Sequence, residues 1–239
     1  MRRMPSLPPR ARHQPVSTTE PISAEVAEML DAGPLCRVWA EQDEGPYYRD
    51  GQPVRRDIVE GRPGQPLQLG MRLERDGVPF SGVAAEIWHC DAFGRYSGFP
   101  PPDPSLVVTA ATAPKAEYLP SETFLRGRQI TDVAGLVEFH TIYPGWYPGR
   151  TVHIHVIVHS AQATFTTQLY FPDGLTDQVL ATAAPYAERH RRDTTNETDT
   201  IFPTGGVPAV LDIAPSRDGF RAAACLVIVG SPADMDSAR

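Results

Sequence analysis

The residues best suited to chemistry lie in one run, Tyr143-Pro144-Gly145-Trp146-Tyr147-Pro148-Gly149-Arg150-Thr151-Val152-His153-Ile154-His155. In a strand, His153 and His155 share one face while Val152, Ile154 and Val156 turn to the other, because successive side chains alternate sides. Two imidazoles converging from one rigid element suit zinc, copper, iron or nickel, so the pair indicates a metal without choosing it. A pair of surface strand histidines would give the same pattern. The usual third ligand is missing: residues 156–162 hold no carboxylate of the kind a cupin site needs. The HxD or HxE form of an iron(II) facial triad is absent too, since the position in question is His155 itself. Tyrosine remains, and Tyr147 stands six residues before His153, ahead of a Pro-Gly turn able to swing it back over the strand. A phenol loses its proton near pH ~10, so it ligates as an anion only beside a strong cation. Iron(III), whose charge hard anionic oxygens offset, is such a cation.

The elements that must position these groups read as strands. Leu67, Leu69, Met71 and Leu73 alternate with Gln68, Gly70, Arg72 and Glu74, which is period two. Asp76-Gly77 turns the chain into a second strand over 83–89, and further strands are expected over 136–140, 151–159, 164–171, 208–213 and 220–229. Such a series of short strands between Gly and Pro turns predicts an all-β fold, a β-sandwich with long loops and one or two short helices. One helix is expected over 23–30, capped by Ser23 and ended by Gly33-Pro34, and another over 176–189. A Pro-rich stretch, 99–123, is long enough to serve a site or an interface. The expected organisation is a flexible arm over 1–20, one domain over 21–230 and a flexible tail over 231–239.

The 239 residues suffice for one all-β domain with a sizeable core. A formal charge of −7 argues against nucleic acid as a partner. No stretch approaches eighteen consecutive apolar residues, so no membrane span is expected. Arg2-Arg3 is followed by prolines in place of an apolar run, which argues against an export signal. Cys36, Cys90 and Cys225 are an odd number without CxxC spacing. They suggest neither a disulfide framework nor a thiolate zinc site, and hence a reduced, cytoplasmic setting.

Several blocks carry a likeness to a known family. They are Glu44-Gly45-Pro46-Tyr47-Tyr48, the run Glu86-Ile87-Trp88-His89-Cys90-Asp91-Ala92-Phe93-Gly94-Arg95-Tyr96-Ser97-Gly98-Phe99, Phe124-Leu125-Arg126-Gly127, the Tyr-Pro-Gly-Trp-Tyr to His-Ile-His run, and Thr167-Gln168-Leu169-Tyr170-Phe171. In this order they resemble the intradiol ring-cleavage dioxygenases, the family of protocatechuate 3,4-dioxygenase, catechol 1,2-dioxygenase and hydroxyquinol 1,2-dioxygenase. The resemblance implies one iron(III) per chain, held by Tyr96, Tyr147, His153 and His155 with a water or hydroxide in the fifth place. It implies that Tyr147 is the ligand released when substrate binds, and that Arg150 stabilises negative charge developing on the ring. Gln168 would lie near the same pocket, with Tyr48 and Trp146 as further substrate contacts.

The implied reaction is cleavage of a catechol by dioxygen between its hydroxyl-bearing carbons, giving a cis,cis-muconate-type product. An aminophenol, a larger natural-product catechol, or a non-catalytic sandwich holding an aromatic or carbohydrate ligand are the competing expectations. Only about 35 residues precede the matching region, too few for a long helical N-terminal domain, which favours a protocatechuate-like arrangement. A complete ligand set in one chain favours a homo-oligomer, first of all a dimer.

Overall fold

The computed structural model describes residues 21–32, 36–103, 121–160, 164–203 and 209–229. The expected arm, the expected tail and positions 104–120 of the Pro-rich stretch lie outside them. The chain runs α1 (Ala24–Ala32), β1 (Arg37–Val38), β2 (Pro66–Arg75), β3 (Val78–Pro79), β4 (Ala84–Trp88), β5 (Arg126–Ile130), β6 (Leu136–Ile142), β7 (His153–His159), β8 (Thr164–Tyr170), α2 (Asp173–Thr182), β9 (Ala209–Val210), β10 (Asp212–Pro215) and β11 (Phe220–Ile228). A short 3-10 turn, Tyr186–Glu188, follows α2. Strands predominate, as the alternating pattern requires.

Two open sheets result. One orders β1-β11-β2-β3, with β10 also on β11 and β6 also on β2; the other orders β5-β4-β7-β8-β9. The apolar face of β2, Leu67, Leu69, Met71 and Leu73, belongs to the same core cluster as Ile154, Val156 and Val158 of the second sheet and Val152 just before it. The opposite face of β2 is covered at Gly70 by α1, whose Val26 and Leu30 cluster with Ala223 of β11.

Three readings of the sequence are corrected. The expected strand 208–213 is two strands: β9 joins one sheet and β10 the other, and the chain changes sheets at Leu211, which is buried. The expected helix 176–189 starts earlier and stops at Thr182; Pro185 lacks the N–H that would continue it, and only the 3-10 turn follows. Cys36 and Cys225 form a disulfide, their Cα atoms 4.6 Å apart, which joins the start of β1 to its parallel neighbour β11. With it, the premise for a reduced compartment falls, because such bonds persist in oxidising surroundings. Cys90 is the free cysteine among the described residues and is buried. No helix among them is long and apolar enough to cross a membrane.

For the site, the useful fact is register. Arg126 of β5, Trp88 of β4, His155 of β7 and Gln168 of β8 lie directly opposite one another in sequence of strands. They form one transverse row on the sheet face that points away from the core.

Candidate metal centre

His153 and His155 project from that face of β7, and their Nε2 atoms stand 3.1 Å apart. The Nδ1 of His153 lies 2.6 Å from the Thr151 carbonyl, which holds a proton on Nδ1 and turns the bare Nε2 outward. The His155 ring lies flat on Trp88, 4.7 Å between centroids at 8°. Gly45 also stands against the ring, where a Cβ would come within 3.2 Å of His155 Cε1. Any larger residue there would push the ring, and φ of +73° suits only glycine without strain.

Two tyrosines arrive from loops. Tyr96 sits in the turn after β4, which Asp91 organises by accepting hydrogen bonds from the backbone N–H groups of Phe93 and Arg95 at 2.9 and 3.0 Å. Tyr147 precedes Pro148-Gly149 and forms an isolated bridge with Arg150, a tight reversal that folds its ring back toward β7. Their hydroxyl oxygens stand 3.3 and 3.2 Å from the same Nε2 of His153. The two loops interlock at Gly145, whose N–H donates to the Asp91 carbonyl at 3.1 Å.

Tyr96, Tyr147, His153 and His155 are thus brought together, each at most 3% exposed. Burial pushes the Tyr147 phenol up to about 12, opposed chiefly by the nearby Arg150 guanidinium. Burial, then Tyr147, pushes Tyr96 well above the ordinary phenol range. Burial, then Arg150, lowers His153 to about 3, and burial with His153 beside it takes His155 well down. Near neutral pH the imidazoles are therefore neutral lone-pair donors, and the phenols keep their protons unless a cation displaces them. A second group of close donors, Cys36, Glu74 and Cys225, cannot supply thiolates, because both sulfurs are in the disulfide.

Around this cluster lies an extended strap, 40–48, held along β8. Gln42 N–H donates to the Thr166 carbonyl at 2.8 Å, and Thr167 Oγ1 donates to the Ala40 carbonyl at 2.9 Å. The strap lays Tyr47 on Tyr96, 4.3 Å between ring centroids at 15°. Tyr48, the sequence candidate, is half-buried and tilts against Trp88 at 5.2 Å. Sequence reasoning missed Tyr47 although it stood in the same block; Pro46 and Tyr47 form a turn, and nothing local says which of the two adjacent tyrosines turns toward Tyr96.

Arg150 is 6% exposed. Its Nη2 donates to Gln168 Oε1 at 2.6 Å and its Nε to Asp199 Oδ2 at 2.9 Å. Trp146 packs elsewhere, in the main core, with Arg189 4.6 Å over its ring and His190 edge-on at 4.9 Å. Asp199 and Asn196 were also missed, lying in a segment with no pattern of its own.

A family model described as Dioxygenase (Dioxygenase_C) matches residues 43–194. Chlorocatechol 1,2-dioxygenase of Rhodococcus opacus is 27% identical over 162 residues, 54% of this chain and 54% of that protein. Protocatechuate 3,4-dioxygenase beta chain of Burkholderia cepacia is 28% identical over 154 residues, 56% of each. The chain spans about half the length of the curated relatives it matches. Among solved structures, an intradiol ring-cleavage dioxygenase from Tetranychus urticae is 32% identical, with 82% of this chain and 96% of that chain covered and a TM-score of 0.70. The dioxygenase domain of a dioxygenase and carbohydrate-binding fusion from Streptomyces sp. SirexAA-E is 26% identical, covering 82% and 99%, with a TM-score of 0.57.

Proposed function

The chain belongs to the intradiol ring-cleavage dioxygenase family, and from that premise we propose that it opens a catechol-type ring between the two hydroxyl-bearing carbons with dioxygen at an iron(III) centre. The family generally depends on iron, and the donor set here fits a ferric ion. One observation carries the reading: three donors, from Tyr96, Tyr147 and His155, crowd within 3.3 Å of the lone pair on His153 Nε2. One lone pair cannot satisfy three such neighbours, whereas a cation shared among two phenolates and two imidazoles would satisfy all four. Two phenolates would leave a trivalent ion with one net positive charge, and oxygen anions favour the ferric state.

When bound, the ion would act as a Lewis acid and template that activates the catechol toward dioxygen. The protein's own groups supply the rest. Thr151 holds the His153 proton at Nδ1 so that Nε2 stays a donor. Tyr147 Oη would hold the ion as a phenolate and is the proposed acceptor of a catechol proton as substrate binds. Arg150, charged at any working pH, then faces the negative charge developing on the ring. Gln168 orients that guanidinium, and Tyr47 with Trp88 keeps water from the cluster. The two sheets around their common core are read as a β-sandwich, and the chain as a homo-oligomer, a dimer first, which light scattering checks.

The test is iron analysis, visible absorption, and oxygen uptake over catechol, protocatechuate, hydroxyquinol and aminophenols, with spectra of the products. The expected result is one iron per chain, a red to brown colour from tyrosinate on iron(III), and a muconate-type product. Tyr147→Phe and His155→Ala are expected to abolish ring opening. Colourless, iron-loaded protein, or full turnover by either variant, overturns the reading.

A further inference from the structure

We propose that Asp199 is a positioning residue of this site, acting through Arg150: its carboxylate holds one edge of the guanidinium so that another edge faces the substrate. The proposal rests on the reading of the site given above. Asp199 is fully buried as a side chain, and each of its oxygens receives two hydrogen bonds. Oδ2 accepts from Arg150 Nε at 2.9 Å and from Thr151 N–H at 2.7 Å. Oδ1 accepts from the N–H groups of Ile201 and Phe202 at 2.7 and 2.9 Å. Four donors on four lone pairs saturate the carboxylate, so it has no freedom to turn.

The geometry of the partner completes the argument. Arg150 spends Nε on Asp199 and Nη2 on Gln168, from two different segments, which fixes the plane of the guanidinium. Nη1 has no hydrogen-bond partner among the described residues and is the nitrogen left for a ligand. Arg150 pairs with Tyr147 across the tight backbone reversal, its N–H donating to the Tyr147 carbonyl at 3.3 Å, which places the two residues side by side. The surrounding segment, 193–199, clamps the stretch between Tyr147 and His153 residue by residue. Asp193 accepts from Gly149 N–H at 3.2 Å, and Asn196 Oδ1 accepts from Thr151 Oγ1 at 2.7 Å. Asp199 is the one member of this clamp that holds both backbone and the Arg150 side chain.

Asp199→Asn is nearly isosteric but puts an NH2 group against one of the two donor pairs, so it releases either Arg150 or the 201–202 backbone. The experiment compares wild type, Asp199→Asn, Arg150→Ala and the double variant. The expected result is that Asp199→Asn keeps its iron and its visible colour, while kcat/KM on the best substrate falls by about 10- to 100-fold. In the Arg150→Ala background the same substitution should cost less than about 3-fold further, because the group it acts through is gone.

A second readout needs neither iron nor turnover. In 15N spectra of the metal-free protein, one arginine Nε–H, absent in Arg150→Ala, should resist exchange with water in wild type and lose that protection in Asp199→Asn. Should Asp199→Asn not fold, Arg150→Lys decides: a point charge cannot make both holds, so kcat/KM should fall as far as in Arg150→Ala. Wild-type turnover by Asp199→Asn or Arg150→Lys, an undiminished effect in the double variant, or persistent protection of the Nε–H in Asp199→Asn overturns the role of Asp199. A wild type that binds no iron and opens no ring overturns the reading of the site instead, while the exchange measurement still judges the hold on Arg150.

Discussion

Histidine in this protein is governed by what its ring nitrogens meet. His153 gives Nδ1 to the Thr151 carbonyl and keeps Nε2 for the cluster. His89, also fully buried, spends both nitrogens internally: Nδ1 lies 2.8 Å from the Cys90 carbonyl and Nε2 2.6 Å from Thr141 Oγ1. Its role is structural, and burial lowers it from the ordinary 6.5 to about 4. Between those values the unfolded chain binds a proton that the folded chain refuses. The stability from keeping His89 neutral is therefore complete above the unfolded value and is lost as pH falls through the folded one. Urea unfolding of the metal-free protein should lose about 3 kcal/mol more between about pH 7 and about pH 4 in wild type than in His89→Gln. Parallel pH profiles for the two proteins would refute this account of His89.

Loops, more than strands, decide whether the site closes. β7 presents both imidazoles by alternation alone, but the phenols depend on two loops meeting at Gly145. A Cβ there would stand 2.5 Å from the carbonyl oxygens of both Asp91 and Ala92, which are backbone atoms with little room to give. Gly145→Ala should therefore part the loops that carry Tyr96 and Tyr147, at a cost of about 1–3 kcal/mol. The expected signs are a lower melting temperature in the metal-free protein and weaker retention of iron under chelation. An unchanged melting temperature would show that the loops tolerate the extra methyl.

At the scale of the whole molecule, the Cys36 to Cys225 bond closes 189 residues of sequence and ties the segment leading into the strap to β11. Native disulfides closing long loops contribute about 2–5 kcal/mol, chiefly by restricting the unfolded chain. The Cys36→Ser, Cys225→Ser double variant should unfold at a correspondingly lower urea concentration, and wild type in reductant should match it. Equal midpoints with and without reductant would show that the bond adds nothing. What the sequence determined by itself is local: the period-two runs that make strands, the common face of His153 and His155, and the block order that suggested a family. Only tertiary structure decided which distant groups meet. Tyr96 reaches Tyr147 and His153 because two loops interlock, and Tyr47 stacks on Tyr96 while Tyr48 tilts against Trp88 because of how the strap is laid along β8. Asp199 finds Arg150, and Cys36 finds Cys225, by the same kind of long-range packing. Side-chain alternation is set within a few residues, whereas these meetings depend on sheet register and loop packing across as many as 189 positions, which no local pattern encodes.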